Sequence, residues 1–99
     1  MIEFDWDIAK AKSNQQKHSV SFQEAMRVWN DEFAAMLGDP THSDDEDRYL
    51  MIGYSDKNNL LFVSFSERDG KIRIISARKA TKKERENHRQ PEKKHNFRL

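Results

Sequence analysis

The run Ser66-Glu67-Arg68-Asp69-Gly70-Lys71-Ile72-Arg73-Ile74-Ile75-Ser76-Ala77-Arg78-Lys79 sets Glu67 and the arginines Arg68, Arg73 and Arg78 on two strand-like segments joined at Asp69-Gly70. Asp-Gly between stretches rich in Val, Ile and Phe is a strong hairpin signal, because Gly accepts the left-handed backbone that a tight turn requires. Guanidinium groups grip phosphate oxygens with paired N–H donors, and a carboxylate can take a proton. The chemistry within reach is therefore the holding and cutting of a phosphodiester. With two loop residues, Arg68 pairs with Lys71, Glu67 with Ile72, Ser66 with Arg73, Phe65 with Ile74, Val63 with Ser76 and Leu61 with Arg78. Alternation then puts Arg68 and Arg73 on one face, on a cross-strand diagonal of roughly 7–8 Å that one phosphate can span. Glu67 and Arg78 fall on the other face, about 20 Å apart at about 3.3 Å per residue, so this register keeps them from one atom.

Each of these residues also has an ordinary structural reading. Arg68 and Arg73 suit solvated edge charges or partners for the acidic stretch Asp44–Asp47, and Glu67 suits a surface hairpin charge. Lys17 and His18 close a helical segment, where positive charge favours the C-terminal end of the helix dipole. His18 is nonetheless the side-chain type suited to proton transfer near neutrality. Lys79 and Lys82 flank the start of a basic helix. Trp6, Phe22 and Trp29 are core candidates that, if exposed, would stack on a base.

The elements that must carry these groups are legible from periodicity. Ile2, Phe4 and Trp6 alternate with acidic residues as a short half-buried strand. Asp7 can cap a helix over Ile8–Lys17, and Ser21 with Glu24 forms a capping-box pattern ahead of Phe22–Trp29. Phe33–Leu37, Tyr49–Tyr54, Leu60–Ser66 and Ile72–Ala77 read as strands. Thr81 with Glu84 repeats the capping box before a helix near Lys82–Arg89, which Pro91 ends. The order predicts an α+β fold: a short N-terminal strand, two helices, a largely antiparallel four-stranded meander and a C-terminal helix, with the helices on one side of the sheet. The chain is expected to form a single domain over residues 1–90 with a flexible tail over 91–99.

The formal charge is only +1, yet residues 31–59 carry a balance of −6 and residues 60–99 one of +7. A basic end of that size attracts polyanions. The absence of cysteine excludes thiolate catalysis and Cys-based zinc sites, and His18, His42, His88 and His95 have no metal-ligand spacing. Neither a metal nor a cofactor is expected. No apolar run approaches a membrane span and the first residues lack signal-peptide character, so a cytoplasmic protein without membrane contact is expected.

At these residues the chain resembles the BrnT-type toxins of bacterial type II toxin–antitoxin systems. The matching elements are Phe4-Asp5-Trp6-Asp7 with Lys10 and Asn14, then Lys17-His18-x-Val20-Ser21-Phe22-x-Glu24-Ala25, then Arg48 and Gly53. Glu67-Arg68-x-x-x-x-Arg73-Ile74-Ile75-Ser76-Ala77-Arg78-x-Ala80-Thr81 with Glu84-Arg85 completes the set. The resemblance implies a RelE-like fold and a metal-independent endoribonuclease that arrests growth. It also implies a BrnA-type ribbon-helix-helix antitoxin as partner, with operator DNA reached only through that antitoxin. Catalytic roles carry over to Lys17, His18, Glu67, Arg68 and Arg78, and RNA phosphate contacts fall to Arg68, Arg73, Lys79 and Lys82. The competing readings are a non-catalytic nucleic-acid or protein binding module and an inactive relative acting as operon corepressor.

Overall fold

The computed structural model describes residues 2–38 and 48–88. The acidic stretch at 43–47, the end of the last helix at Arg89, Pro91 and the tail over 91–99 lie outside them. Strand β1 (Glu3–Trp6) leads into helix α1 (Ile8–His18), helix α2 (Phe22–Met26) and a 3-10 turn (Arg27–Asn30). Strands β2 (Ala35–Gly38), β3 (Arg48–Tyr54), β4 (Leu60–Arg68) and β5 (Lys71–Lys79) follow, and then helix α3 (Lys82–Asn87). The expected helix over Phe22–Trp29 is thus one α-helical turn and more, tightened to 3-10 geometry from Arg27 onward.

The helix starts follow from their caps. Asp7 Oδ1 accepts from the Lys10 N–H at 3.1 Å, and Ser21 Oγ from the Glu24 N–H at 3.0 Å. These bonds satisfy N–H groups that the first helical turn leaves without partners. Helix α1 stops at Ser19, whose φ of 57° places it in the left-handed region and turns the chain into the core residue Val20.

The sheet order is β1-β5-β4-β3-β2. Strands β2 to β5 form the antiparallel meander, while β1 joins in parallel beside β5, Glu3 opposite Lys71 and Trp6 opposite Ile74. One face of the sheet is covered by the helical layer: Val20, Phe22, Ala25 and Val28 pack on Leu61, Val63, Phe65, Ile72, Ile74 and Ala77. Edge-to-face rings extend this core, with Trp29 between Phe4 (5.2 Å) and Phe65 (5.0 Å).

The β4–β5 register agrees with the two-residue turn from Arg68–Lys71 up to Phe65–Ile74, and then slips. An irregularity at Ser64/Phe65 leaves Ile75 as an extra residue, so Ser64 faces Ser76, Val63 faces Ala77, Phe62 faces Arg78 and Leu61 faces Lys79. The expected Val63–Ser76 and Leu61–Arg78 pairs are therefore wrong by one residue. A bulge reverses the facing of everything beyond it. Ala77 turns into the core, 1% exposed, and Arg78 turns out to the opposite face.

Two side chains finish strand edges that the neighbouring strands are too short to cover. Beyond the end of β1, buried Asn14 accepts from the Ala77 N–H at 3.0 Å and donates to the Ala77 carbonyl at 2.8 Å and the Val20 carbonyl at 3.0 Å. Beyond β2, Asp31 accepts from the Tyr54 N–H at 2.9 Å and the Phe33 N–H at 3.0 Å. Gly53 lies under this turn; a Cβ there would sit 2.9 Å from both Ala34 Cβ and Val28 Cγ1. Buried Glu24 ties α2 to the β3–β4 turn through Ser55 Oγ (2.6 Å) and Asn59 Nδ2 (2.9 Å).

Candidate nucleic-acid interface

Because α1, α2 and the 3-10 turn cover the Leu61, Val63 and Phe65 side, alternation presents the other side of the sheet away from them; α3, expected with the other helices, instead meets that other side, where its Glu84 bonds Arg78. Register assigns to it Arg48, Leu50 and Ile52 from β3, Phe62, Ser64, Ser66 and Arg68 from β4, and Lys71, Arg73, Ser76 and Arg78 from β5. The surface is a half-buried apolar strip with arginines along it. Arg68 and Arg73 keep their expected diagonal, since Arg68 faces Lys71 and Ser66 faces Arg73. Arg73 pairs with Asp5 of its neighbouring strand β1 at 3.3 Å, with both side chains about half exposed. An exposed pair of this kind is worth little and gives way readily to a competing anion.

The bulge brings Arg78 to this face, where the straight register had excluded it. Its guanidinium carbon lies 4.5 Å from the centroid of the Phe62 ring. Its Nη1 and Nη2 donate to the two carboxylate oxygens of Glu84 at 2.8 and 3.0 Å. Glu84 also closes the capping box of α3, accepting from the Thr81 N–H at 2.9 Å while its own N–H donates to Thr81 Oγ1 at 3.1 Å. Arg78 and then the Thr81 N–H hold the Glu84 carboxyl at about 2, well below its ordinary 4.5, and the same contact holds the Arg78 proton more firmly. Glu84 is thus an anion at every physiological pH and no general base.

The remaining candidates fall elsewhere. Lys17 and His18 are exposed at the end of α1, in the helical layer. Lys79 lies two residues beyond the Ala77 that Asn14 grips, and alternation turns it toward that same layer. Glu67 is exposed near the hairpin tip and alternates toward the helix side, although it directly precedes Arg68. Lys82 is exposed in the first turn of α3. The structure therefore gathers Arg68, Arg73 and Arg78 on one face and leaves Lys17, His18, Glu67 and Lys79 on the other side of the sheet. Sequence reasoning passed over three residues of the interface. Arg48 entered only as part of a motif, Phe62 only within the strand Leu60–Ser66, and Glu84 only as a helix cap and a motif residue. The capping-box spacing was a signal for where Glu84 sits, but nothing in it marks the second bond to Arg78.

Among the described residues no cluster of three or more His, Cys, Asp or Glu is arranged to hold a metal ion, and no helix is long and apolar enough to cross a membrane.

The fold is similar to that of the crystal structure of the Brucella abortus ribonuclease toxin BrnT. The TM-score is 0.65 and the identity 20%, over 83% of this chain and 100% of that one. No curated protein matches the sequence. Residues 6–84 match the family described as "Ribonuclease toxin, BrnT, of type II toxin-antitoxin system". The match spans the interface from Trp6 to Glu84, and the chain belongs to this family of ribonuclease toxins.

Proposed function

We propose that this toxin is a metal-independent endoribonuclease that arrests growth, and that a BrnA-type ribbon-helix-helix antitoxin neutralises it and carries the pair to operator DNA. The observation that carries the reading is the arginine-lined sheet face that α1 and α2 leave uncovered and that α3 meets at Arg78. RNA lies across it with a phosphate between Arg68 and Arg73, while Lys79 and Lys82 are further candidates for its backbone.

Cleavage proceeds by attack of the ribose 2′-oxygen on the adjacent phosphorus. A base removes the 2′-hydroxyl proton, the P–O5′ bond breaks, and a proton goes to the departing 5′-oxygen, leaving a 2′,3′-cyclic phosphate and a 5′-hydroxyl. Guanidinium groups stabilise the negative charge that builds on the nonbridging oxygens. Glu67, next to Arg68 at the hairpin tip, and His18 are the candidates for base, with Lys17 as a further cation.

The test is incubation of purified protein with RNA in the presence of EDTA. Cleavage is expected to persist, to yield cyclic phosphate ends, and to slow about 100-fold in Arg68→Ala. Undiminished cleavage by both Arg68→Ala and Glu67→Ala overturns the assignment. The separation of Glu67 and His18 from the arginine face favours one second reading, a module that holds RNA without cutting it. Tight RNA binding with intact RNA after long incubation would establish that reading instead.

A further inference from the structure

Arg78 is fixed as a plane more than as a reaching cation. One face of its guanidinium rests on the Phe62 ring at 4.5 Å. Its end is taken by Glu84 through two hydrogen bonds of 2.8 and 3.0 Å, and Nη1 also donates to the Lys79 carbonyl at 3.3 Å. These bonds run in the guanidinium plane and occupy the end-on donor pair that a phosphate would grip. The Arg78 side chain remains 41% exposed. Pairing with Glu84 also cancels most of the charge that would draw a phosphate, while the flat π surface stays. Flat, cationic and backed by an aromatic ring, such a surface suits the face of a nucleobase, which every base offers irrespective of sequence.

We propose that the Phe62–Arg78 stack is a base subsite that receives one unpaired nucleobase of single-stranded RNA, with Glu84 as the residue that positions the plane. This rests on the reading above that RNA is the ligand of the open face. Arg68 and Arg73, farther along the hairpin, hold the backbone while the subsite holds a base. Paired bases are already stacked in a duplex and do not enter it.

The experiment uses the whole protein and single-stranded 2′-O-methyl oligoribonucleotides, which lack the hydroxyl needed for cleavage. One abasic residue is moved along the oligonucleotide, so that phosphate number is constant. A position is expected at which affinity falls about 5- to 150-fold, the range of one base stack. Arg78→Lys keeps the charge and removes the plane, and Phe62→Leu keeps an apolar side chain and removes the ring; in each the penalty for the abasic residue disappears. A flat abasic profile in the unmodified protein overturns the proposal, as does an unchanged penalty in a folded Arg78→Lys or Phe62→Leu. Circular dichroism checks folding, and the unmodified protein's profile decides alone if neither variant folds. Cleavage of ordinary RNA is measured alongside. Cleavage with a flat profile defeats the subsite only, whereas a base-dependent profile without cleavage defeats the ribonuclease reading only.

Discussion

Glu84 holds two structures together with one carboxylate, the first turn of α3 and the orientation of Arg78. Its folded value near 2 against an ordinary 4.5 means that the unfolded chain binds this proton more readily than the folded one. The stabilisation is complete above pH 4.5 and fades as pH falls through the folded value near 2. Glu84→Gln should lower the melting temperature at pH 7 by about 2–5 °C, an exposed pair and cap in a small domain being worth little more. It should also flatten the fall in stability of the wild-type protein across the acidic range. Thermal melts at stepped pH check both, and an acid profile identical to wild type would mean that Glu84 contributes nothing to it. The sequence marked the arginines of the site because Arg types near a hairpin stand out in any reading. It did not mark Glu84 as their partner, since the contact joins a helix cap to a strand residue six positions earlier, a distance no local pattern encodes.

At the scale of elements, short strands leave edges that side chains must finish. Asn14 replaces a missing strand partner at Ala77 and ties α1 to β5. Asn14→Leu would leave the Ala77 N–H and two carbonyls without partners in a dry setting, at a cost of about 2–4 kcal/mol. Urea denaturation should show a lower midpoint with an unchanged slope; a midpoint equal to that of the parent protein would show that water substitutes for the amide. The order of elements was legible because caps, alternation and the Asp69-Gly70 turn each act locally. The bulge was not, because inserting one residue into a strand shifts the phase without breaking the apolar pattern. Ile74 and Ile75 side by side were its only trace, and either could have continued the alternation. That one residue decided on which face Arg78 appears.

For the whole molecule, the charge that matters is local. A net +1 hides the basic balance of residues 60–99, of which the hairpin raises Arg68, Arg73 and Arg78 onto one face. If Arg68 and Arg73 each neutralise a phosphate contact, the logarithm of RNA affinity should fall with the logarithm of salt at a slope of about −1.4 or steeper, about 0.7 per contact. Arg68→Ala should reduce that slope by about 0.7, whereas Arg78→Lys should leave it unchanged. Fluorescence anisotropy across a salt series measures both, and equal slopes for Arg68→Ala and wild type would remove Arg68 from the backbone contacts.

The parallel seat of β1 beside β5 has a consequence in time. Asp5 meets Arg73 across 68 residues of chain, so β1 leaves the ribosome well before the β5 segment that seats it. Emerging at about 5–20 residues per second, the chain spends several seconds without it. A chain halted before Lys71 has neither a bulged β5 nor a seat for β1, and no arginine face. The arginine face is therefore assembled only after β5 has left the ribosome.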